Sequence, residues 1–399
     1  MSKIENKIVS FIQKHILLIL IAVGLLLSLL LRLSLRGWLM YDMEGFLLPW
    51  YNDIKEKGII WFISSGISDY HVLYQLLLYI ATLLPFDSVT NIKLISIVFD
   101  YLTAIAMAYG IWVLQPQNKG RKLLATATLV ISSLLPIVIF NSAMWGQCDI
   151  IYTFFIVLSV KEIMKDRYLA AFIMFSLSFA FKLQAVFFLP VLVIIYFVKK
   201  RFSAILFLLP PLVLFLLGLP AVKAGTVFRG FEIYLNQTST WQLLTLNYPN
   251  IHTLFIDVKF SDHMLPAVIT TLTILFLFTA YLLATKQSIE NDTVILLSVW
   301  SILTCTMFLP GMHDRYGFAA ELLVWFYFLF SPSLKRFLLA LSINFVPMVI
   351  YIRAFVNSTY LTLATMSLFN ILVYIGLTIF LVKEIKNNQI PKIIPSEST

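Results

Sequence analysis

Apolar residues recur along this chain in long blocks separated by short polar breaks. The blocks lie near 15–35, 92–114, 123–140, 148–163, 168–182, 184–198, 203–222, 264–284, 293–309, 318–331, 337–350 and 359–382. A helix rises about 1.5 Å per residue and a bilayer core is ~30 Å thick, so a crossing needs about 20 apolar residues. The pattern therefore predicts an all-α polytopic membrane protein with about 12 transmembrane helices, forming a single transmembrane domain over 1–399. No internal repeat or low-complexity segment stands out.

One further block, residues 72–84, is apolar but only 13 residues long. That is ~20 Å of helix, too short for the hydrocarbon core. Basic residues in short loops mark the cytoplasmic side. If 72–84 does not cross and the N-terminus is cytoplasmic, the clusters around Lys7, Arg121, Lys165, Lys200, Arg336 and Lys386 share that side, together with Lys286 and Lys392. If it crosses, every later cluster moves outward. The block is therefore predicted to be an interfacial helix on the outer face, within a first outer loop over 36–91. A second long outer loop spans 221–263, and both termini are expected in the cytoplasm.

Composition agrees. Hydrophobic residues make up 60% of the 399 and charged residues 12%, against about 25% charged in a soluble domain; mean hydropathy is +0.91. The net charge of +9 belongs to the orienting clusters and does not indicate nucleic acid. The charged N-terminus runs into the first block without a small-residue cleavage site, which predicts a retained helix and not a signal peptide. Two cysteines, Cys148 and Cys305, exclude a disulfide framework, and free thiols are favoured over one bridge.

Polar chemistry collects on the expected outer side. Tyr41-Asp42-Met43-Glu44-Gly45 follows the first span. In an extended chain Asp42 and Glu44 would share one face, and a carboxylate beside an apolar medium is suited to general-base work. Met144-Trp145-Gly146-Gln147-Cys148-Asp149 places an amide and an acid in a short turn, where polar groups are costly and usually serve a purpose. Phe181-Lys182-Leu183-Gln184 forms another tight turn; Lys182 there either snorkels to headgroups or binds an anion. Pro310-Gly311-Met312-His313-Asp314-Arg315-Tyr316-Gly317-Phe318 packs donors into one turn; Arg315 there either offers a fork matched to phosphate oxygens, the favoured reading, or pairs locally with Asp314 to anchor the turn. Asp100, inside a span, is a functional candidate by default or a partner for a neighbouring helix. The stretch Thr238-Ser239-Thr240-Trp241-Gln242 is suited to a polar substrate, and triplets at Asn236 and Asn357 match the glycosylation sequon. Phosphate-loop, zinc-protease and nucleophile-elbow motifs are absent from the sequence.

The two acids after the first span, the Trp145–Asp149 motif, Phe181-Lys182-Leu183-Gln184 and Met312-His313-Asp314-Arg315-Tyr316-Gly317-Phe318 resemble GT-C superfamily glycosyltransferases. They are most similar to bacterial relatives of the PIG-V-type mannosyltransferases of glycosylphosphatidylinositol assembly, with His-Asp-Arg-Tyr here where many relatives carry His-Glu-Arg-Tyr. The resemblance covers most of the chain in layout. It implies a bacterial plasma-membrane enzyme transferring mannose or another hexose from a polyprenyl phosphate sugar at the outer face, with inversion. The acceptor would be a hydroxyl of a glycan, glycolipid or protein.

On this reading Asp42 is the general base, with Glu44 second. Trp145, Gln147, Asp149, Gln184 and Tyr316 bind sugar or acceptor, while His313, Arg315 and Lys182 hold the donor phosphate. Two external acids leave room for a divalent cation, but no ligand set with recognisable spacing appears. Rival readings are a polysaccharide polymerase, which should carry a large outer loop richer in Arg than 221–263, and a lipid-linked glycan transporter or flippase, which should carry polar groups near the midplane.

Overall fold

The computed structural model describes residues 2–240, 242–255, 258–356 and 361–387. The described residues are 81% helical, with 17 α-helices and almost no sheet. Trp241, the Asn357 triplet and Lys392 lie outside the described residues. Helix α1 (Lys3–Leu35) opens on a Ser2/Glu5 capping box and is followed by a π-helical turn, Met43–Leu47. Three short helices come next, α2 (Leu48–Lys57), α3 (Ile59–Ser65) and α4 (Val72–Thr82), then α5 (Ser88–Leu114), capped by Asp87. Helices α6 (Lys119–Leu134) and α7 (Pro136–Ile139) lead into a second π turn, Phe140–Met144, before α8 (Asp149–Met164) and α9 (Tyr168–Phe181). The remainder comprises α10 (Leu189–Lys199), α11 (Leu209–Gly218), α12 (Arg229–Thr240), α13 (Phe260–Ala284), α14 (Asn291–Phe308), α15 (Phe318–Phe330), α16 (Leu334–Val356) and α17 (Leu363–Asn387).

Among the described residues seven helices are long and apolar enough to cross a bilayer: α1, α5, the Ala204–Ala224 segment that contains α11, α13, α14, α16 and α17. On α1, α13 and α17 apolar side chains stand exposed, as at Leu26, Leu30, Leu272, Phe276 and Leu372, a surface that only hydrocarbon solvates. The chain is thus an all-α polytopic integral membrane protein.

The block expected as one span at 123–140 is broken. Pro136 cannot donate to the helix behind it, and the two pieces, Gly120–Leu134 and Pro136–Met144, meet at 44°. Residues 221–263, expected as one long loop, contain α12 and a two-residue strand, Thr245–Leu246.

Two compact units divide the chain. The first holds Met1–Val186, Ile205–Trp241 and Phe328–Phe337. Within it α5 packs between α6 and α8, α8 packs on α9, and α9 on α11. Lys93, near the start of α5, reaches the carbonyls of Arg36 and Trp38 just beyond the end of α1, at 3.0 and 2.5 Å. The chain therefore leaves α1 and enters α5 at the same end of this unit, with α2, α3 and α4 folded there. Helix α4 has 11 residues, about 16 Å. Its approach is anchored through Tyr70, whose carbonyl accepts from Gln75 at 2.7 Å. Beyond its end, Leu84 and Phe86 offer their carbonyls to Asn91 at 3.1 Å each.

The second unit holds Phe187–Ala204, Gln242–Tyr327 and Leu338–Thr399. Helix α14 is its axis, buried continuously from Thr293 to Met307 and flanked by α10, α13 and α17. Segment 248–254 is tied to it: Tyr248 Oη lies 2.9 Å from Thr306 Oγ1, and Asn250 Nδ2 donates to the Thr306 carbonyl at 3.1 Å. From α17, Asn370 donates to the Pro249 carbonyl at 3.0 Å. Strand Thr245–Leu246 pairs in parallel with Met312–His313.

Candidate functional site

Both polar motifs of the first unit that precede residue 150 are organised by π turns. Asp42 immediately precedes the Met43–Leu47 turn, and Trp145-Gly146-Gln147 immediately follows the Phe140–Met144 turn. A π turn widens the helix by one residue and leaves carbonyls turned aside, a device frequent at functional sites. Here the carbonyls of Phe140, Asn141 and Ser142 accept the N–H groups of Trp145, Gln147 and Gly146 at 2.9, 2.9 and 3.0 Å. Gly146 takes φ +78°, a left-handed conformation that suits glycine. The resulting hook presents Gln147, which is 1% exposed, so that Nε2 donates to Asp42 Oδ2 at 2.8 Å across 105 residues of chain. The Gln147 Oε1 atom is buried and has no hydrogen-bond partner.

Asp149 begins α8 two residues later and is fully buried. Asn141 Nδ2 donates to its Oδ2 at 3.0 Å, and Lys182 Nζ, in the break after α9, forms an ion pair with its Oδ1. The Lys182 ammonium also lies over the rings of Tyr70 and Tyr152, 5.8 and 6.0 Å from their centroids. Gln184 follows in a 3₁₀ turn, buried, its Oε1 without a partner. Asp42, Gln147, Asp149 and Lys182 thus form one linked cluster in the first unit. Both amide oxygens can accept hydrogen bonds from hydroxyl groups.

Glu44 does not join the cluster. The backbone at Asp42–Glu44 is helical, so a spacing of two does not place both carboxylates on one face as it would in an extended chain. Glu44 is exposed. Trp145, read as a sugar contact, is 8% exposed and packed into the hook.

In the second unit His313 ends the short strand, and the Asp314 N–H donates to the Leu246 carbonyl at 3.0 Å. A turn follows in which Arg315 Nη1 lies 3.3 Å from Asp314 Oδ1 and the His313 and Tyr316 rings stand 5.1 Å apart. The four side chains of this motif are partly accessible. The sequence shows the turn but not the strand partner that holds it.

Three contributors were not singled out from the sequence. Arg32, inside the first apolar block, pairs with Asp100 at 2.9 Å with both side chains at 0% exposure. Lys93 and Asn141 are fully buried and each touches the hook or its acid. Asp100 is accordingly a partner for a neighbouring helix; its Oδ2 also accepts from Ser142 at 2.5 Å. Outside the long helices, His71 is buried and its imidazole is pushed down to about 4, mainly by burial, against an opposing pull from the Leu214 main chain. Burial likewise holds His252 below its ordinary range. Neither Cys148 nor Cys305 is in a disulfide. Among the described residues no group of three or more His, Cys, Asp or Glu side chains is placed to hold a metal ion.

The chain matches no protein-family model and no curated protein.

Proposed function

We propose that the protein is a membrane-embedded glycosyltransferase that moves a hexose, mannose or another, from a polyprenyl phosphate donor to an acceptor hydroxyl. The observation that carries the reading is the contact between Asp42 and Gln147, beside the buried Asp149–Lys182 pair. A half-buried carboxylate flanked by an amide oxygen with no partner is arranged to receive a hydroxyl and take its proton. In the reaction Asp42 removes the acceptor O–H proton and the oxygen attacks the anomeric carbon. The bond from that carbon to the phosphate oxygen breaks, and polyprenyl phosphate leaves with the electron pair, so the anomeric configuration inverts. The resemblance assigns the donor phosphate to Arg315 and His313 of the second unit, and a guanidinium fork is suited to phosphate oxygens. Asp149, held by Asn141 and Lys182, acts with Gln147 to orient sugar or acceptor hydroxyls, with Gln184 as a further contact.

The topology that goes with this reading has twelve crossings: the seven long helices, the bent α6–α7 pair, and α8, α9, Leu183–Lys199 and α15 as shorter ones. It puts α2, α3 and α4 at the outer interface of a bacterial plasma membrane and both termini in the cytoplasm. Short crossings are accommodated by local thinning and snorkelling. The transport reading takes partial support from Asp100 and from the prolines at 210, 211 and 220; the Asp100 carboxylate is committed to Arg32 and Ser142.

The test is transfer by purified protein in liposomes supplied with a radiolabelled polyprenyl phosphate hexose and an oligosaccharide acceptor. Asp42→Asn should lower turnover about 10²–10⁴-fold, the range for loss of a general base. Arg315→Met should raise the apparent KM for donor. Full transfer by Asp42→Asn removes the base assignment, and absence of transfer by the wild-type protein from every polyprenyl phosphate hexose removes the function.

A further inference from the structure

Two charged residues on α5 remain outside the chemistry just described. Lys93 and Asp100 are 0% and 1% exposed. They are seven residues apart, close to two helical turns, and so project from one face. A buried ammonium is tolerated only when its donors are satisfied, and Lys93 has three. Each finds a main-chain carbonyl: Arg36 at 3.0 Å, Trp38 at 2.5 Å and Met144 at 2.9 Å. Arg36 and Trp38 are the first steps of the segment that runs to Asp42, and Met144 is the last residue of the π turn from which Gln147 hangs. One cation therefore ties together the two backbones whose side chains meet at the Asp42–Gln147 contact.

Two turns along α5, Asp100 repeats the arrangement. Its Oδ2 accepts from Arg32 of α1 at 2.9 Å and from Ser142 of the same π turn at 2.5 Å. The π turn is thus gripped at Ser142 and at Met144, and α1 is gripped at Arg32 and just past its end. With both pieces clamped to a single helix face, small motions of the first loop and of the hook become one motion.

We propose that Lys93 is a positioning residue: it sets the separation of Asp42 and Gln147 by holding the carbonyls of Arg36, Trp38 and Met144 on one ammonium group. The functional weight of this proposal rests on the glycosyltransferase reading; its geometric content does not. Misplacement of a catalytic group by about 1 Å costs on the order of 10²-fold in rate.

The experiment measures the distance without using activity. In a background with Cys148 and Cys305 replaced by Ser, the pair Asp42→Cys and Gln147→Cys is crosslinked by a copper–phenanthroline oxidant. The pair Ser159→Cys and Ala171→Cys reports on the α8–α9 contact, where Ser159 Oγ donates to the Ala171 carbonyl at 2.9 Å. Lys93→Met should slow the 42–147 crosslink at least tenfold and leave the 159–171 crosslink unchanged, and Lys93→Arg should restore part of the rate. An unchanged 42–147 rate in Lys93→Met overturns the proposal. If Lys93→Met also loses the control crosslink, Lys93→Gln, which keeps a hydrogen-bonding head, is judged by the same ratio. In transfer assays on the native cysteine background, Lys93→Met should lower kcat about 10²-fold with little change in donor KM. A wild-type protein that transfers no sugar, yet shows the Lys93-dependent crosslink, refutes the function and leaves the positioning role standing.

Discussion

Acidification should destabilise this protein through one identifiable imidazole. His71 precedes α4 and is fully buried. It sits where α11 and α12 cross at two glycines. A Cβ on Gly218 would come within 2.7 Å of the Gly230 Cα, and one on Gly230 within 3.2 Å of His71 Nε2. Desolvation pushes its pKa from 6.5 to about 4. Between those values the unfolded chain binds a proton that the folded protein refuses, so stability rises with pH across this window. The contribution is complete above the unfolded value and declines as pH falls through 6.5 toward 4. The shift corresponds to about 3 kcal/mol in full, of which about 2 kcal/mol is lost by pH 5. Denaturant unfolding of detergent-solubilised protein, followed by tryptophan fluorescence at pH 8 and pH 5, measures it. His71→Gln removes the titrating group at similar volume, whatever it costs at pH 8. The wild-type protein should lose about 2 kcal/mol more than the variant between the two pH values. Equal losses in the two proteins would refute the argument that His71 is held neutral by burial.

Three further perturbations follow from buried contacts. Asp100→Leu strands the Arg32 guanidinium and should cost about 3–5 kcal/mol, whereas Arg32→Met with Asp100→Leu should fall within about 1 kcal/mol of wild type; the same denaturant titration, arranged as a double-mutant cycle, checks both. Lys182→Met leaves the Asp149 carboxylate buried without its counter-charge and should cost a similar ~3–5 kcal/mol, with Lys182→Met/Asp149→Leu recovering most of it in unfolding measurements. Gly146→Ala forces a side chain at φ +78° and drives its Cβ into Met43; it should cost about 1–3 kcal/mol, and adding Met43→Ala should relieve only the steric share.

Hydropathy and length are local quantities, and what depends on them was legible in the sequence. The thickness of hydrocarbon sets how many apolar residues make a crossing, so the positions of the long helices could be read directly. The shortness of the block at 72–84 was equally local, and the helix there, Val72–Thr82, has 11 residues. Pro136 sat inside a predicted span in plain view, but whether a proline bends a helix or is absorbed depends on its neighbours. The polar motifs were equally visible, because charge and amide groups stand out against apolar sequence. Their partners were not. Arg32 and Asp100 are 68 residues apart, and Asp42 and Gln147 are 105 apart; Arg32 lies within an apolar run that read as uniform. The two π turns also escaped, since widening a helix by one residue reflects how its ends are held, not its composition. That is why Asp42 and Glu44 were expected on one face and Glu44 is instead exposed on a helical turn. Likewise the strand pairing of Met312–His313 with Thr245–Leu246 joins segments with no shared periodicity. Solvent preference is carried residue by residue, whereas the pairing of buried charges is settled only when distant segments are packed together, because an unpaired charge in that interior is too costly to persist.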